Sequence, residues 1–125
     1  MLYTSYFANI NQLPSDVAIV AITRIPPKNY KGILYQKVAP TRDLLDRWKK
    51  EQDEDFYINY YNKKVLSRLS PSEVIQDLKA LTNNAENIAL VCYEKPNDFC
   101  HRHLLSDWLV NAGFPCEEFK KDIIF

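Results

Sequence analysis

The chain has 125 residues, 46% hydrophobic and 26% charged, which is one domain's worth of ordinary globular composition. Sixteen basic and sixteen acidic residues cancel, so net charge gives no case for non-specific binding to nucleic acid or a membrane surface. Two glycines exclude a glycine-rich phosphate loop, and no run approaches the ~20 apolar residues that span a membrane.

Taken in order, Leu2 to Phe7 is a first candidate strand, followed by Asn9 and Pro14. Val17 to Thr23 is a stronger one, apolar and β-branched throughout, closed by Arg24 and Pro26. Such continuous runs suit parallel strands covered on both faces. Ile33 to Val38 alternates less cleanly and reads as an edge strand. Thr41 is a candidate N-cap, with Leu44, Leu45 and Trp48 on one helical face. The acidic stretch Gln52–Asp55 reads as a solvated bend, and a longer helix is expected over 56–69. Its tyrosines are expected in the core and at its rim. Ser70, Pro71 and Glu73 form a strong helix start, followed by Val74, Ile75, Leu78 and Leu81 at helical spacing.

Ile88 to Tyr93 is a short buried strand bounded by Asn87 and Pro96. Turn chemistry at 95–98 leads to Cys100-His101-Arg102, which opens a helix carrying Leu104, Leu105, Trp108 and Leu109 up to Gly113. Cys116 to Phe119 completes the set as a short strand. Strands separated by helical segments predict one α/β domain over 1–125: three layers, with a mostly parallel central sheet flanked by helices.

Chemistry concentrates at the junction after the central strand, where ligands bind in open α/β sheets. Strand periodicity puts Cys92 and Glu94 on one face, with Glu94 nearer the rim. His101 aligns with Leu105 and Trp108 on the inward helical face. His103 aligns with Asp107, predicting a surface pair. A thiol at a helix start meets unpaired amides and a positive dipole end, conditions that favour thiolate. Arg102 offers a donor fork at the same place. Arg24 would join it if the strand before it neighbours the central one. Cys92 also reads as a small core residue, and Glu94 as an ion-pair partner for Arg24 or Arg102. Zinc is not expected, because no Cys-x-x-Cys pair is present and two histidines two apart on a helix diverge by about 200°. A Cys92–Cys100 disulfide fits geometrically but not as a cytosolic staple, so metal and redox readings stand as alternatives only.

Cys92-Tyr93-Glu94, a short loop, then Cys100-His101-Arg102 resembles the signature of the domain of unknown function 488 family. Arg24 and Pro26 are similar to the family's second strand end. Ala39-Pro40-Thr41, Phe56 and Tyr60 or Tyr61 are similar to its middle section. An acidic residue usual two before the strand-ending arginine is replaced by Ile22, and a Gly-His-Ser after the first strand has no counterpart. The resemblance implies an intracellular microbial or phage α/β domain without an assigned reaction.

The expectation is thus a site of Cys92, Glu94, Cys100 and His101 for chemistry and of Arg24 and Arg102 for an anion. Its substrate would carry phosphate or another negative charge, a class that includes nucleotides and nucleic acid. The alternative is a binding module without turnover, with structural cysteines. No metal, cofactor or membrane partner is expected. Three cysteines and no basic-then-apolar start favour a reducing cytoplasm, and oligomeric state stays open.

Overall fold

The computed structural model describes residues 1–120. Strands β1 (Leu2–Tyr6), β2 (Val17–Ala21), β3 (Ile33–Leu34), β4 (Asn87–Cys92) and β5 (Cys116–Glu118) pair into one sheet ordered β3-β2-β4-β1-β5. Every pairing is parallel. The central position of β4 follows from its composition. Ile88 through Cys92 are all buried, with Ile88 opposite Leu2 on one side and Ala18 on the other. β3 pairs over only two residues, a short edge that leaves little unpaired backbone.

Four helices follow from local signals. Thr41 Oγ1 accepts from Leu44 N at 3.1 Å and starts α1 (Arg42–Glu51). The acidic bend turns out to be a cap: Asp53 Oδ1 accepts from Phe56 N at 3.0 Å, so α2 (Glu54–Lys64) begins earlier than its apolar pattern suggests. That helix also ends earlier, at Lys64, and passes into a 3-10 turn over Leu66–Arg68. Ser70 caps α3 (Pro71–Leu81) through Glu73 N, with proline at the first turn as its fixed φ allows. α4 (His101–Asn111) ends before Gly113, whose φ of +92° turns the chain toward β5.

The two faces of the sheet are covered unequally. On one, Val20, Ile22, Leu90 and Cys92 pack with Leu44, Tyr61, Leu78 and Leu109 from the helices, forming the main core. Each fully buried leucine there contributes about 1.5–3 kcal/mol. On the other face, Ala21, Ala89 and Val91 lie under Phe7, Leu13 and Tyr30. Phe7 opens a 3-10 turn, Phe7–Gln12, so the third layer is this turn and a loop. The small side chains of Ala21 and Ala89 suit so thin a cover. The single α/β domain with a parallel sheet flanked by helices is as the sequence indicates.

This topology makes a crevice. β1 leaves the sheet through the 3-10 turn on the thin face, while its neighbour β4 leads to α4 on the helical face. Adjacent strands sending their chains to opposite faces leave the space beyond their carboxyl ends open. β2 borders β4, so Arg24 and Glu94 reach the same rim.

Candidate functional site

At that rim lies a cleft of about 460 Å³. The β2 exit contributes Thr23 and Arg24, the β4 exit Tyr93 and Glu94, and the start of α4 Cys100 and His101. Pro40, Trp48, Lys49, Tyr57 and Phe99 complete its walls. The aromatic wall is organised: Trp48 stacks on Phe99 with ring centroids 4.8 Å apart, and Tyr57 meets Phe99 edge-on at 5.0 Å.

His101 is buried, as its helical stripe indicates, and its tautomer is fixed by one bond. Nε2 donates to the Ile22 carbonyl at 2.7 Å, which leaves the lone pair on Nδ1. That nitrogen lies 3.7 Å from Cys100 Sγ. Burial lowers the His101 pKa to about 4, the Ile22 bond opposes this, and the charges of Arg102 and His103 lower it further. The ring is neutral at pH 7.

Cys100 holds the N-cap position of α4 with extended backbone, φ −154° and ψ 145°, and makes no side-chain cap bond. Its sulfur is free for other partners. One of these is Cys92: the two sulfurs lie in disulfide contact, with Cα atoms 7.8 Å apart. Unstrained bridges need Cα atoms within about 7 Å. The fold therefore brings two sulfurs to one point from a strand end and a helix start, beyond the span of a relaxed covalent bridge.

Arg102 is not where an anion in the cleft would meet it. Its side chain is 0% exposed and absent from the cleft wall. Nε and Nη2 donate to the two carboxylate oxygens of Glu118 at 3.0 and 3.1 Å. Nη1 donates to Cys92 Sγ at 2.9 Å and to the Glu94 carbonyl. The guanidinium is a buried tie between β5, the β4 exit and α4. The ion pair with Glu94 proposed from sequence is replaced by one with Glu118, because Glu94 has left the strand and its carboxylate faces solvent and the cleft. Nothing in the sequence marked Glu118, which lies sixteen residues away on the far edge strand.

Arg24 keeps its expected place. It is half-buried in the cleft wall; Nε donates to the Pro40 carbonyl at 3.1 Å and Nη2 to those of Gln36 and Ala39 at 3.4 Å. These neutral partners orient the guanidinium without cancelling its charge, and no carboxylate pairs with it among the described residues. Glu94 lines the same cleft. Its charge adds to burial in raising the pKa of both Tyr57 and Tyr93.

Two further findings were not in the sequence reading. Thr23 is 5% exposed and lines the cleft, and its hydroxyl has no hydrogen-bond partner among the described residues. A buried unpaired hydroxyl costs roughly 1–3 kcal/mol. Its apolar strand context gave no signal for it. His103 does not pair with Asp107: it is half-buried, and Nε2 lies buried without a partner among the described residues.

Three ligand-competent side chains converge despite their spacing in the chain. Cys92, Cys100 and His101 are all buried, and one ligand atom from each lies within 4.8 Å of the others. Spacing along one helix says nothing about a ligand delivered by a strand eight residues earlier.

No curated protein and no solved structure matches the chain. The family model DUF488-N3a, described as the active DUF488-N3 subclade, matches residues 3–113. That stretch runs from the first strand through α4 and includes Arg24, Cys92, Glu94 and the Cys100-His101-Arg102 block. The chain belongs to the DUF488 family.

Proposed function

We propose that the chain is an enzyme whose cleft takes a phosphate-bearing or other anionic substrate, a class that includes nucleotides and nucleic-acid phosphates. One observation carries the reading: Cys100 Sγ and the His101 Nδ1 lone pair, 3.7 Å apart, share a cleft wall with Arg24, which pairs with no carboxylate among the described residues. Arg24 would hold the anion, with Lys49 on the same wall. With the two cysteines reduced and the Cys92 contact open, Nδ1 would take the Cys100 thiol proton, leaving the sulfur as nucleophile or ligand. Trp48 and Phe99 offer a flat apolar surface of the kind a base or other ring occupies. The description of the matching subclade as active agrees with turnover.

Cys92 and Arg102 support a second reading. Their contacts with each other, Glu118 and the Glu94 carbonyl give them structural work, as a binding module without chemistry would require. Turnover separates the two. A panel of mononucleotides and phosphoesters assayed with wild type and Cys100→Ser should show activity that the variant loses. Binding of the same compounds without turnover, unaffected by Cys100→Ser, would leave the module. Phosphate that stabilises wild type and Arg24→Ala equally would remove the anion site from both readings.

A further inference from the structure

We propose that Cys92 Sγ, Cys100 Sγ and His101 Nδ1 bind one divalent ion of the zinc class, with its fourth position open to the cleft. The inference rests on the cleft being the substrate site and changes the identity of its reactive atom.

Distances come first. Zinc sits about 2.3 Å from sulfur and 2.0–2.1 Å from nitrogen, so tetrahedral ligands S and N stand about 3.6 Å apart. Cys100 Sγ and His101 Nδ1 are 3.7 Å apart. The two sulfurs need to part to about 3.8 Å, and their Cα separation of 7.8 Å favours a longer link than a disulfide.

The surrounding bonds fit as well. A metal-bound histidine usually donates its other ring N–H to a carbonyl or carboxylate, which fixes the tautomer and the ring plane. His101 Nε2 does this to the Ile22 carbonyl at 2.7 Å. Arg102 Nη1, 2.9 Å from Cys92 Sγ, supports negative charge on that sulfur. Two thiolates balance a divalent ion, and Arg102 is already balanced by Glu118, so the buried group is neutral as a whole.

The cleft supplies an independent sign of a ligand. Thr23 is 5% exposed, with its hydroxyl unpaired among the described residues, on the wall that Cys100 and His101 share. A water or substrate oxygen on the open position would give that hydroxyl a partner. Three protein ligands and an open fourth position are the arrangement of catalytic rather than structural zinc. An ion there acts as a Lewis acid toward an anionic oxygen held by Arg24, or makes a bound water more acidic.

The test is titration of Co2+ and Zn2+ into reduced, metal-free protein. One Co2+ per chain should bind with a sulfur-to-metal charge-transfer band, and Zn2+ should displace it. Cys92→Ser and Cys100→Ser should each weaken binding at least about tenfold, and Cys116→Ser should not. Should a serine variant fail to fold, mass-mapped alkylation of wild type decides: Zn2+ should protect Cys92 and Cys100 and leave Cys116 unaffected. Cobalt bound without the sulfur band, or Cys100 alkylated equally fast with and without zinc, would overturn the site. Arg24→Ala separates the two proposals, since it should lose phosphate stabilisation and keep the metal. A failed anion site thus appears in the phosphate arm, and a failed metal site in the cobalt arm.

Discussion

Removing the Arg102 side chain should cost the fold far more than it costs the cleft. The guanidinium is 0% exposed and its carboxylate partner Glu118 is 16% exposed, so the pair lies in a medium with little water to screen or replace it. Arg102→Ala would strand the Glu118 carboxylate, remove the donors to Cys92 Sγ and the Glu94 carbonyl, and leave a void as large as any side chain in the core. Breaking one partner of a buried ion pair costs about 3–5 kcal/mol, against about 0–1 for a surface pair. For a chain of this size that is a loss of roughly 10–25 °C in Tm, from a total stability of about 5–15 kcal/mol. Urea denaturation of Arg102→Ala, Glu118→Ala and the double variant measures the loss and the coupling. The double variant should lose much less than the sum, because neither charge is then left alone. An Arg102→Ala loss below about 1 kcal/mol, with additive double-variant energies, would refute the buried-tie reading. Phosphate binding by whatever Arg102→Ala protein folds should match wild type, since none of the lost donors faces the cleft.

The other predictions concern the site itself. Arg24→Ala should abolish stabilisation by phosphate while shifting urea stability little, and the wild-type effect should fade as salt rises; a thermal-shift titration checks both. In metal-free reduced protein Cys100, on the cleft wall, should alkylate before Cys92, which is 0% exposed; mass mapping of the modified thiols would contradict this if Cys92 reacted first. Burial raises the Cys116 pKa, so its alkylation should need more alkaline pH than a free thiol's. His101 has a folded pKa of about 4 against about 6.5 unfolded, so between those values the unfolded chain binds the extra proton. Stability from this group is therefore complete above pH 6.5 and lost as pH falls toward 4, by up to about 3 kcal/mol at ~1.36 per unit. Denaturation at a series of pH values should show that slope in wild type and a flatter one in His101→Gln; Asp77, whose pKa is lowered by the Tyr35 hydrogen bond and Lys37, acts below this window.

What the sequence revealed of this protein, and what it hid, divides along one physical line. Signals that act within a few residues could be read directly. Thr41 and Ser70 cap the helices they were expected to cap, and the unbroken apolar run of β4 took the middle of the sheet. His101 is buried as its helical stripe required, and Tyr57 and Tyr61 are core. Arg24 reached the cleft because the strand before it does border β4. The partner of Arg102 was misjudged because it comes from far along the chain, whereas the local His103–Asp107 pair failed because His103 is half-buried. Glu94 follows the strand that leads to Arg102, but pairing of β1 with β5 carries Glu118 in and fills the guanidinium. The Asp53 cap was hidden in a polar stretch that also holds Asp55, and either aspartate could cap a helix.

The same line explains why the ligand cluster is visible only in three dimensions. Zinc motifs legible in sequence place two ligands on one turn or one helix, so their spacing is local. Here the three ligand atoms come from the end of β4 and the first two positions around the α4 start, with a seven-residue loop between the cysteines. A loop closure of that length is cheap in entropy once the β4–α4 packing exists, so the fold itself holds the ligands together. The donors that orient them, the Ile22 carbonyl and Arg102, are set by the β2–β4 pairing and by the buried tie to Glu118. Disturbing that tie should therefore loosen Cys92 and any ion it holds before it affects the phosphate held by Arg24. Cobalt affinity and phosphate affinity measured on Glu118→Gln should separate in that order. Equal loss of both would mean that the cleft and the sulfur cluster respond as one unit.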